Sequence, residues 1–363
     1  MNAHTENSVF NRWMPYGRLT AFRGDEKGAA LAGAWLLGIS GNERCARFAE
    51  ERGMPIVKAE TESLNVAGGF LVPNPLMRVI IAQRELRGAF RACAGIAPMT
   101  SDTGTMPRRT GGLTAVFAAE AATLSESQNS WDNVALTAKK LALLARSSSE
   151  LDEDALIDWG EWFAVEMSYA FASKEDDCGF NGDGSGTYGG IRGITQILID
   201  GNHNAGKVSA ASGHDTFAEI DNADLANLIG KLPAFALPGA RWFCSQMGFA
   251  TVLCRLAGTA GGIIMQNVGG RLVPTFLGFP VQITQVLPQV TTSLTNQVML
   301  LFGDLSMAAM LGERRGVVVH RSTGRYLDQD QIAWRGTERV DIVCHDLGDN
   351  TTAGPIVGLV GTA

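Results

Sequence analysis

The sequence predicts a mixed α+β fold, and three features support this prediction. Segments with strand-like alternation and segments with helical spacing follow one another without a repeating strand–helix–strand order. The most regular helical stripe runs over residues 150–177, and a polar-tipped hairpin is predicted before it, over residues 105–147. A chain of 363 residues is long enough for two domains with a substantial core.

The composition favours a protein that associates with itself. Hydrophobic residues make up 45% of the chain and charged residues 18%, which predicts surface hidden against other copies. The net charge of −7 argues against a dedicated nucleic-acid binder. The six cysteines form no CxxC pair, so we expect buried free thiols in a reducing compartment. No signal peptide or membrane-spanning run is evident, which predicts a soluble protein made in the cytoplasm.

The N-terminal portion, residues 1–67, is predicted to contain two short helices. One covers residues 30–39, and the other begins at the N-cap Asn42 and ends at Gly53. The following residues are predicted to be extended. A further helix is expected to begin near Pro75, with helical spacing of Leu76, Val79, Ile80, Gln83, Leu86 and Phe90.

The hairpin is predicted from two strands, residues 113–120 and 134–149, separated by a polar tip. Its arms have no obvious core of their own. Because an isolated hairpin is marginally stable in water, we expect it to lie on a neighbouring subunit.

The long helix is expected to bury one apolar stripe and to expose an acidic face. Ser149 can cap it, and the stripe includes Leu156, Phe163 and Met167. A carboxylate metal site is disfavoured, because the helix contains no histidine and no ExxH pattern. We therefore interpret the acidic residues as solvent-facing: Glu150, Asp152, Glu153, Asp154, Asp158, Glu161, Glu166, Glu175, Asp176 and Asp177.

Helices and strands mix in the second half of the chain. Helices are predicted over residues 221–236 and 247–257. Residues 308–316 are predicted to be a turn region, and the segment IRGITQILI (191–199) to be extended. Strands are expected over 239–246, 276–286, 297–306, 317–322 and 332–344, and GPIVGLVG closes the chain.

The glycine-rich stretch NGDGSGTYGG follows the long helix and raises the possibility of a phosphate-binding loop. It lacks the GxxxxGK[ST] pattern, and it follows a helix where a dinucleotide fingerprint follows a strand. We interpret Gly182, Asp183 and Gly184 as the turn that ends the helix.

No catalytic, cofactor-binding or metal-binding residue is predicted. The chain has no GxSxG, no HExxH and only five scattered histidines. Asp176, Asp177 and Asp183 suit turn geometry better than acid–base chemistry. A hydrolase using these aspartates is retained as a remote alternative, and it would be a small oligomer.

Two basic doublets on the hairpin could form salt bridges between subunits or could simply be exposed. They are Arg108–Arg109 and Lys139–Lys140, and their possible acidic partners are Glu120, Glu126 and the long helix.

Six segments, in order, resemble the major capsid proteins of tailed bacteriophages, which have the Hong Kong 97-like fold. They are AGGFLVP (67–73), LTAKKLALLARSSSELDEDALIDW (136–159), FNGDGSGTYGGIRGI (180–194), FLGFPVQIT (276–284), LFGDLSMAAMLGERRGVVV (301–319) and IAWRGTERVD (332–341).

The resemblance implies an arrangement of domains along the chain. The hairpin would be the E-loop, which reaches over the next subunit, and the long helix would be the spine helix of the peripheral domain. The N-terminal region and N-arm would cover 1–67, and the end of the N-arm with the entry helix of the peripheral domain would cover 68–103. The E-loop would cover 104–148, and the peripheral domain with the spine helix would cover 149–205. The axial domain would cover 206–325, and strands returning to the peripheral domain, with the C-terminus, would cover 326–363.

The resemblance also implies a function without enzymatic activity. Hexamers and pentamers of the chain would form an icosahedral shell that encloses double-stranded DNA with weak, non-specific contacts. Assembly in the bacterial host's cytoplasm would yield the virion capsid, with scaffolding, portal and decoration proteins as partners and no membrane. An encapsulin-like nanocompartment shell is the alternative.

Two departures from the family pattern matter. In some relatives a lysine at the E-loop tip forms an isopeptide bond with an asparagine near the last peripheral strand. Here the tip has no lysine, and Gln329, Asp330 and Gln331 occupy the matching strand entry, so we expect no covalent cross-linking. The region before residue 66 is short for a cleaved scaffolding region and lacks heptads, which leaves its removal open.

Overall fold

The computed structural model describes residues 22, 25–39, 41–59, 69–109, 117, 126, 128, 130–148, 156–258, 263–268, 271–329 and 331–363. The chain divides into two compact units. The first comprises Met1–Gly88, Lys140–Lys174 and Arg315–Arg339. The second comprises Ala89–Lys139, Glu175–Arg314 and Val340–Ala363.

The described strands, in chain order, are β1 (Lys58–Ala59), β2 (Gly69–Leu71), β3 (Gly95–Pro98), β4 (Thr103–Arg109), β5 (Trp131–Thr137), β6 (Lys139–Ser148), β7 (Lys207–Ser209), β8 (Arg241–Cys244), β9 (Ile263–Val268), β10 (Arg271–Phe276), β11 (Phe279–Ile283), β12 (Val298–Gly303), β13 (Ala309–Tyr326), β14 (Gln331–Cys344) and β15 (Ile356–Val360). The described α-helices are Glu26–Ile39, Glu43–Glu50, Asn74–Arg87, Ala89–Cys93, Leu156–Asn181, Ile194–Leu198, Asn222–Lys231 and Leu305–Ala308, and a further helical run covers 246–257.

The predicted helices near the N-terminus are confirmed. The Asn42 side chain accepts a hydrogen bond from the Cys45 backbone N–H at 3.2 Å, which caps the helix Glu43–Glu50. Gly53 follows with a φ of +85°, a conformation that glycine adopts at little cost. The third helix, Asn74–Arg87, has Pro75 in its first turn and stops before Gly88, so Phe90, which was predicted to belong to it, lies in the separate helix Ala89–Cys93.

The first unit is built around a sheet in the order β1-β2-β13-β14-β6. β2 is antiparallel to both β1 and β13. Side chains of Val317, Val319 and Trp334 contribute to a buried cluster with Phe163 and Met167 of the helix Leu156–Asn181, called the long helix below. Phe163 and Met167 of the predicted apolar stripe therefore face this core, and their burial stabilises the unit.

The N-terminal helix Glu26–Ile39 is a central part of the same core. Trp35 and Leu36 are fully buried, and Ala29 and Ala32 are as well. The Trp35 indole N–H donates to the Pro55 carbonyl at 3.3 Å. A helix that is buried on most sides belongs to the interior of a folded unit rather than to an exposed arm.

The second unit contains a seven-stranded sheet in the order β7-β15-β12-β8-β11-β10-β9. Here β8 and β11 are parallel, whereas β12 is antiparallel to both β8 and β15. β12 lies within the predicted strand 297–306, and all six of its residues are buried. β4 and β5 form a separate two-stranded ribbon, and β3 is parallel to the start of β13.

Two local predictions are wrong. Residues 309–316 are not a turn region but the beginning of β13. Leu311 is buried there, and the charges of Glu313 and Arg314 are paired with Arg91 and Asp102, which allows charged residues within a strand. The segment predicted to be extended after the glycines contains the helix Ile194–Leu198 instead, because Ile194, Ile197 and Leu198 bury one helical face.

Some predictions fall outside the described residues. These include most of the predicted hairpin strand 113–120, the start of the long helix at 150–155 and most of the segment 60–68. The free-thiol prediction is confirmed for all six cysteines, but their burial differs: Cys93, Cys178 and Cys244 are buried, Cys45 and Cys344 are half-buried, and Cys254 is exposed. Among the described residues, no helix is long and apolar enough to span a membrane.

The N-terminal helix gives a direct test of the first core. We expect Trp35→Ala to lower the free energy of unfolding by about 3–5 kcal/mol, because the change removes a large buried side chain and leaves a cavity. Urea unfolding of the unassembled chain measures this effect. Val57→Ala, at a position that is 49% exposed, is the control and should change the midpoint little. Equal midpoints for the two variants would contradict the placement of this helix in the core.

Candidate interaction surface

The two-stranded ribbon of β4 and β5, called the arm below, has little core of its own. Its strands are antiparallel, with Arg109 opposite Trp131 at one end and Thr103 opposite Thr137 at the other. Among its described side chains only Leu136 is buried. Trp131 is 61% exposed, and Phe117, in the connection between the strands, is fully exposed. Large apolar side chains in such positions are typical of a surface that another molecule covers.

The base of the arm is held by polar contacts within the second unit. The backbone N–H of Thr137 donates to Asp341 Oδ2 at 2.7 Å, and Lys139 Nζ lies 3.2 Å from Asp341 Oδ1. Arg108 pairs with Asp132 on the opposite strand at 2.8 Å and also donates to the backbone carbonyl of His345. Buried Asp341 of β14 thus fixes the point at which the arm leaves the unit.

A cavity of about 590 Å³ lies at this base, lined in part by Arg108, Lys139, Asp341 and His345. Both ring nitrogens of His345 are buried and have no hydrogen-bond partner among the described residues. Burial lowers the pKa of His345, and the Arg108 charge lowers it further, which favours the neutral imidazole. Asp341 is already bonded to Thr137 and Lys139, so it is not available as a free base. The cavity therefore belongs to the attachment of the arm.

The predicted salt-bridge residues have different environments in the part of the chain that the structure describes. Arg108 and Lys139 are paired within the chain, as described above. Arg109 faces Trp131 in the backbone register, and its side chain lies outside the described set, as does Glu120 entirely. Glu126 and Lys140 are exposed. Contacts of these residues between subunits stay a prediction.

The glycine-rich stretch makes a reversal directly after the long helix. The Gly182 N–H donates to the Cys178 carbonyl, and Gly184 has a φ of +83°. The Asp183 carboxylate accepts from the Ser185 N–H at 2.7 Å. A Cβ on Gly182 would lie 2.5 Å from the Ile191 carbonyl oxygen, so the close approach of two backbone segments requires glycine there.

Two residues predicted to be solvent-facing, Glu175 and Asp176, are buried instead. The Asp176 carboxylate accepts hydrogen bonds from the backbone N–H groups of Ala89 and Phe90, at 2.9 and 2.8 Å. Thr284 Oγ1 lies 3.3 Å from the same carboxylate. Asp176 thus stabilises the start of the helix Ala89–Cys93 rather than a turn. Burial raises the pKa of Asp176 to about 6, although the backbone hydrogen bonds oppose the shift.

Buried arginines neutralise acidic groups in each unit. In the second unit, Arg91 lies 3.0 Å from Glu175 and 2.5 Å from Glu313 of β13. In the first unit, Arg84 lies 2.6 Å from Glu338, and both side chains are almost completely buried. Removing one partner of such a pair would leave an uncompensated buried charge. These pairs consequently fix the positions of the elements that they join.

This buried charge was not predicted from the sequence, although part of its signal is local. Glu175 lies between Phe171 and Cys178 at helical spacing, and Asp176 lies between Ala172 and Phe180. Both carboxylates therefore continue the apolar stripe. No sequence pattern pairs Glu175 with Arg91, because 84 residues separate them.

Among the residues that the structure describes, His214, Asp221 and Asp224 have the residue types of a cation site. Asp221 caps the helix Asn222–Lys231, and Asp224 completes a capping box. His214 Nδ1 lies 2.6 Å from Asp224. These hydrogen bonds account for the cluster as a helix cap.

Comparison with known proteins identifies the family of this chain. The model of the phage capsid family matches residues 68–346. No curated protein matches the sequence.

Solved structures with the same fold include three kinds of particle. The capsid of an empty GTA particle is 20% identical, with a TM-score of 0.56 over 76% of this chain and 90% of that one. A structure of Mycobacterium phage Bobi is 16% identical, with a TM-score of 0.53 over 85% and 96%. The SrpI encapsulin of Synechococcus elongatus PCC 7942 is 10% identical, with a TM-score of 0.50 over 76% and 86%. At these identities the likeness shows the fold alone.

The buried Asp176 predicts a specific pH dependence. Its pKa is higher in the folded chain, about 6, than the ordinary value of 3.8, so the folded state binds the proton more tightly. Its contribution to stability is therefore full below about pH 4 and is lost as the pH rises through about 6. The loss is on the order of 3 kcal/mol. Urea unfolding of Asp176→Asn at several pH values should show that this part of the dependence has disappeared.

The control for this experiment is Glu166→Gln, at an exposed position on the same helix. It should retain the wild-type slope between pH 4 and 6. An Asp176→Asn variant with an unchanged slope would show that Asp176 is not the group responsible.

Proposed function

The chain belongs to the phage capsid family and has a Hong Kong 97-like fold, and we propose that hexamers and pentamers of it form an icosahedral shell around double-stranded DNA. The family and the fold make it a structural shell protein. The number of subunits in each ring and the enclosed genome are the finer parts of the proposal.

The exposed arm is the observation that most supports self-assembly. Its described side chains, apart from Leu136, are exposed or half-buried, and Trp131 contacts solvent with most of its surface. Two strands alone bury too little apolar area to be stable in water. Contacts with neighbouring copies would cover the arm, and modest interfaces repeated around a closed shell become collectively strong.

Charge supports a weak interaction with packaged DNA rather than tight binding. The net charge of −7 opposes strong association with phosphates. Scaffolding, portal and decoration proteins are the further partners we propose, with assembly in the cytoplasm of the host bacterium and the virion capsid as the final location. The proposal involves no catalytic residue, cofactor or metal.

An encapsulin-like compartment that holds protein cargo is the second candidate. It is favoured by the likeness to the SrpI encapsulin, which covers 76% of this chain. The contents of the particle distinguish the two candidates, because a phage capsid would contain DNA and a compartment would contain protein. A hydrolase is disfavoured, since Asp176 is engaged by two backbone N–H groups.

Assembly of the purified chain is the first test. We expect closed shells of megadalton mass in analytical ultracentrifugation and in negative-stain electron microscopy, because many identical contacts favour closure. Deleting residues 110–130, the connection of the arm, should abolish shells while the subunit remains folded. A wild-type chain that sediments only as a monomer or small oligomer at high concentration would refute the proposed function.

Covalent cross-linking is a separate expectation. The arm tip has no lysine, and Gln329, Asp330 and Gln331 occupy the strand entry at which some relatives have asparagine. Mature particles boiled in detergent and reductant should therefore run as one band of unlinked single chains. A ladder of linked subunits on that gel would overturn this expectation.

A further inference from the structure

The seven-stranded sheet of the second unit ends at β7, whose outer edge pairs with no strand in the part of the chain that the structure describes. β7 is parallel to β15, and Lys207 lies opposite Gly358. The Gly358 N–H donates to the Gly206 carbonyl at 3.0 Å. Further along, the Ala210 N–H donates to the Val360 carbonyl at 2.9 Å. Every second residue from Gly206 to Ala210 therefore bonds to β15.

The backbone groups of the two residues in between, Lys207 and Ser209, point away from β15. In a parallel ladder the N–H and C=O of one residue point to the same neighbouring strand, and those of the next residue point to the opposite side. Lys207 and Ser209 each present one N–H and one C=O at the outer edge of the sheet. Such an edge is a template for an extended segment of another chain.

A groove of about 530 Å³ lies beside this edge, between β7 and the helix Asn222–Lys231. Val208 of the strand is buried with Leu225 and Leu228 of the helix, which holds the two elements together below the groove. The space above them is open to the side chains of an added strand. We call this space the edge groove, and it is lined in part by Lys207, Ser209, Ala226, Gly230 and Lys231.

The charged residues that line the edge groove are all positive. Lys207 and Lys231 are the two charged residues of the lining, which contains no aspartate or glutamate. Among the residues that the structure describes, neither lysine forms an ion pair. The chain as a whole carries a net charge of −7, so this groove differs in sign from the average surface. Its charge complements an acidic partner.

The same lysines disfavour a second copy of this chain at this edge. Two copies joined at β7 would bring the lysines of both grooves together, and like charges across paired strands are destabilising. Lysine on a strand edge is a common means of preventing such self-pairing. The charge therefore selects a different chain, whose extended segment carries aspartate or glutamate.

We propose that the edge groove binds an extended, acidic segment of a partner protein, which joins the sheet as an eighth strand beside β7. The backbone of this segment would bond to Lys207 and Ser209, and its carboxylates would pair with Lys207 and Lys231. The inference goes beyond the proposed function, because it gives the shell subunit a surface for another protein. It concerns the single subunit and does not depend on shell formation.

The probe for this proposal is a fluorescent octapeptide of alternating glutamate and valine. We expect its anisotropy to rise with the concentration of the full-length subunit, and the lysine–valine counterpart to bind about tenfold more weakly. Binding of the acidic peptide should slow hydrogen exchange over residues 206–210, because the added strand takes the outward N–H groups. No binding of the acidic peptide, equal binding of both peptides, or binding without slower exchange would each overturn the proposal.

A variant that fills the edge groove tests its shape without changing its charge. A Cβ on Gly230 would meet no neighbouring group within 4 Å, and leucine favours a helix more than glycine does. Gly230→Leu should therefore fold and should weaken binding of the acidic peptide about tenfold, because the leucine occupies the groove. Ala223→Leu is the matched control, at an exposed position of the same helix outside the lining, and should bind like the wild type.

Charge reversal tests the chemistry of the partner. Lys207→Glu with Lys231→Glu should weaken binding of the acidic peptide about tenfold and strengthen binding of the basic one. Circular dichroism of each variant checks its folding, and Gly230→Leu decides the outcome if this double variant does not fold. Unchanged binding in both variants would overturn the proposal.

Assembly of the same variants separates this proposal from a contact between copies. Gly230→Leu should form shells with the wild-type yield in ultracentrifugation. Loss of shells in Gly230→Leu but not in Ala223→Leu would assign the edge groove to an interface between copies and overturn the proposal. A wild-type chain that forms no shell would refute the proposed function alone, since peptide binding is measured on the subunit.

Discussion

A two-stranded ribbon cannot bury both of its faces, and this constraint governs the behaviour of the whole chain. β4 and β5 satisfy each other's backbone hydrogen bonds, but their side chains remain largely in solvent. Folding alone does not remove Trp131 and Phe117 from water. Association with other copies in the proposed shell would do so, and a composition rich in apolar residues is consistent with that requirement.

Buried charge gives the arm and its surroundings fixed positions. Asp341 holds Thr137 and Lys139 at the base of the arm. Elsewhere in the second unit, Arg91 joins the long helix to β13 through Glu175 and Glu313. An apolar core tolerates shifts of packing, whereas a buried ion pair is costly unless its geometry is kept. A subunit that contacts many neighbours needs its helices and strands in fixed positions, and buried ion pairs hold them there.

The sequence was most informative where one local pattern dominated. The long apolar stripe predicted the long helix, and Asn42 and Gly53 predicted both ends of a short one. The pattern failed where tertiary partners decide the outcome. The charged segment around Glu313 has the composition of a turn, but its ion pair with Arg91 allows it to be a strand. The burial of Asp176 depends on backbone groups 86 and 87 residues away in the chain.

The central claim is that other copies cover the arm, and the exposure of Trp131 tests it most directly. Hydroxyl-radical footprinting, read by mass spectrometry, compares the oxidation of this side chain in unassembled subunits and in closed particles. Fully buried Trp242 is the internal reference and should react slowly in both. We expect Trp131 to oxidise readily in the subunit and several-fold more slowly in the particle. Equal oxidation in the two states would contradict the claim that assembly covers the arm.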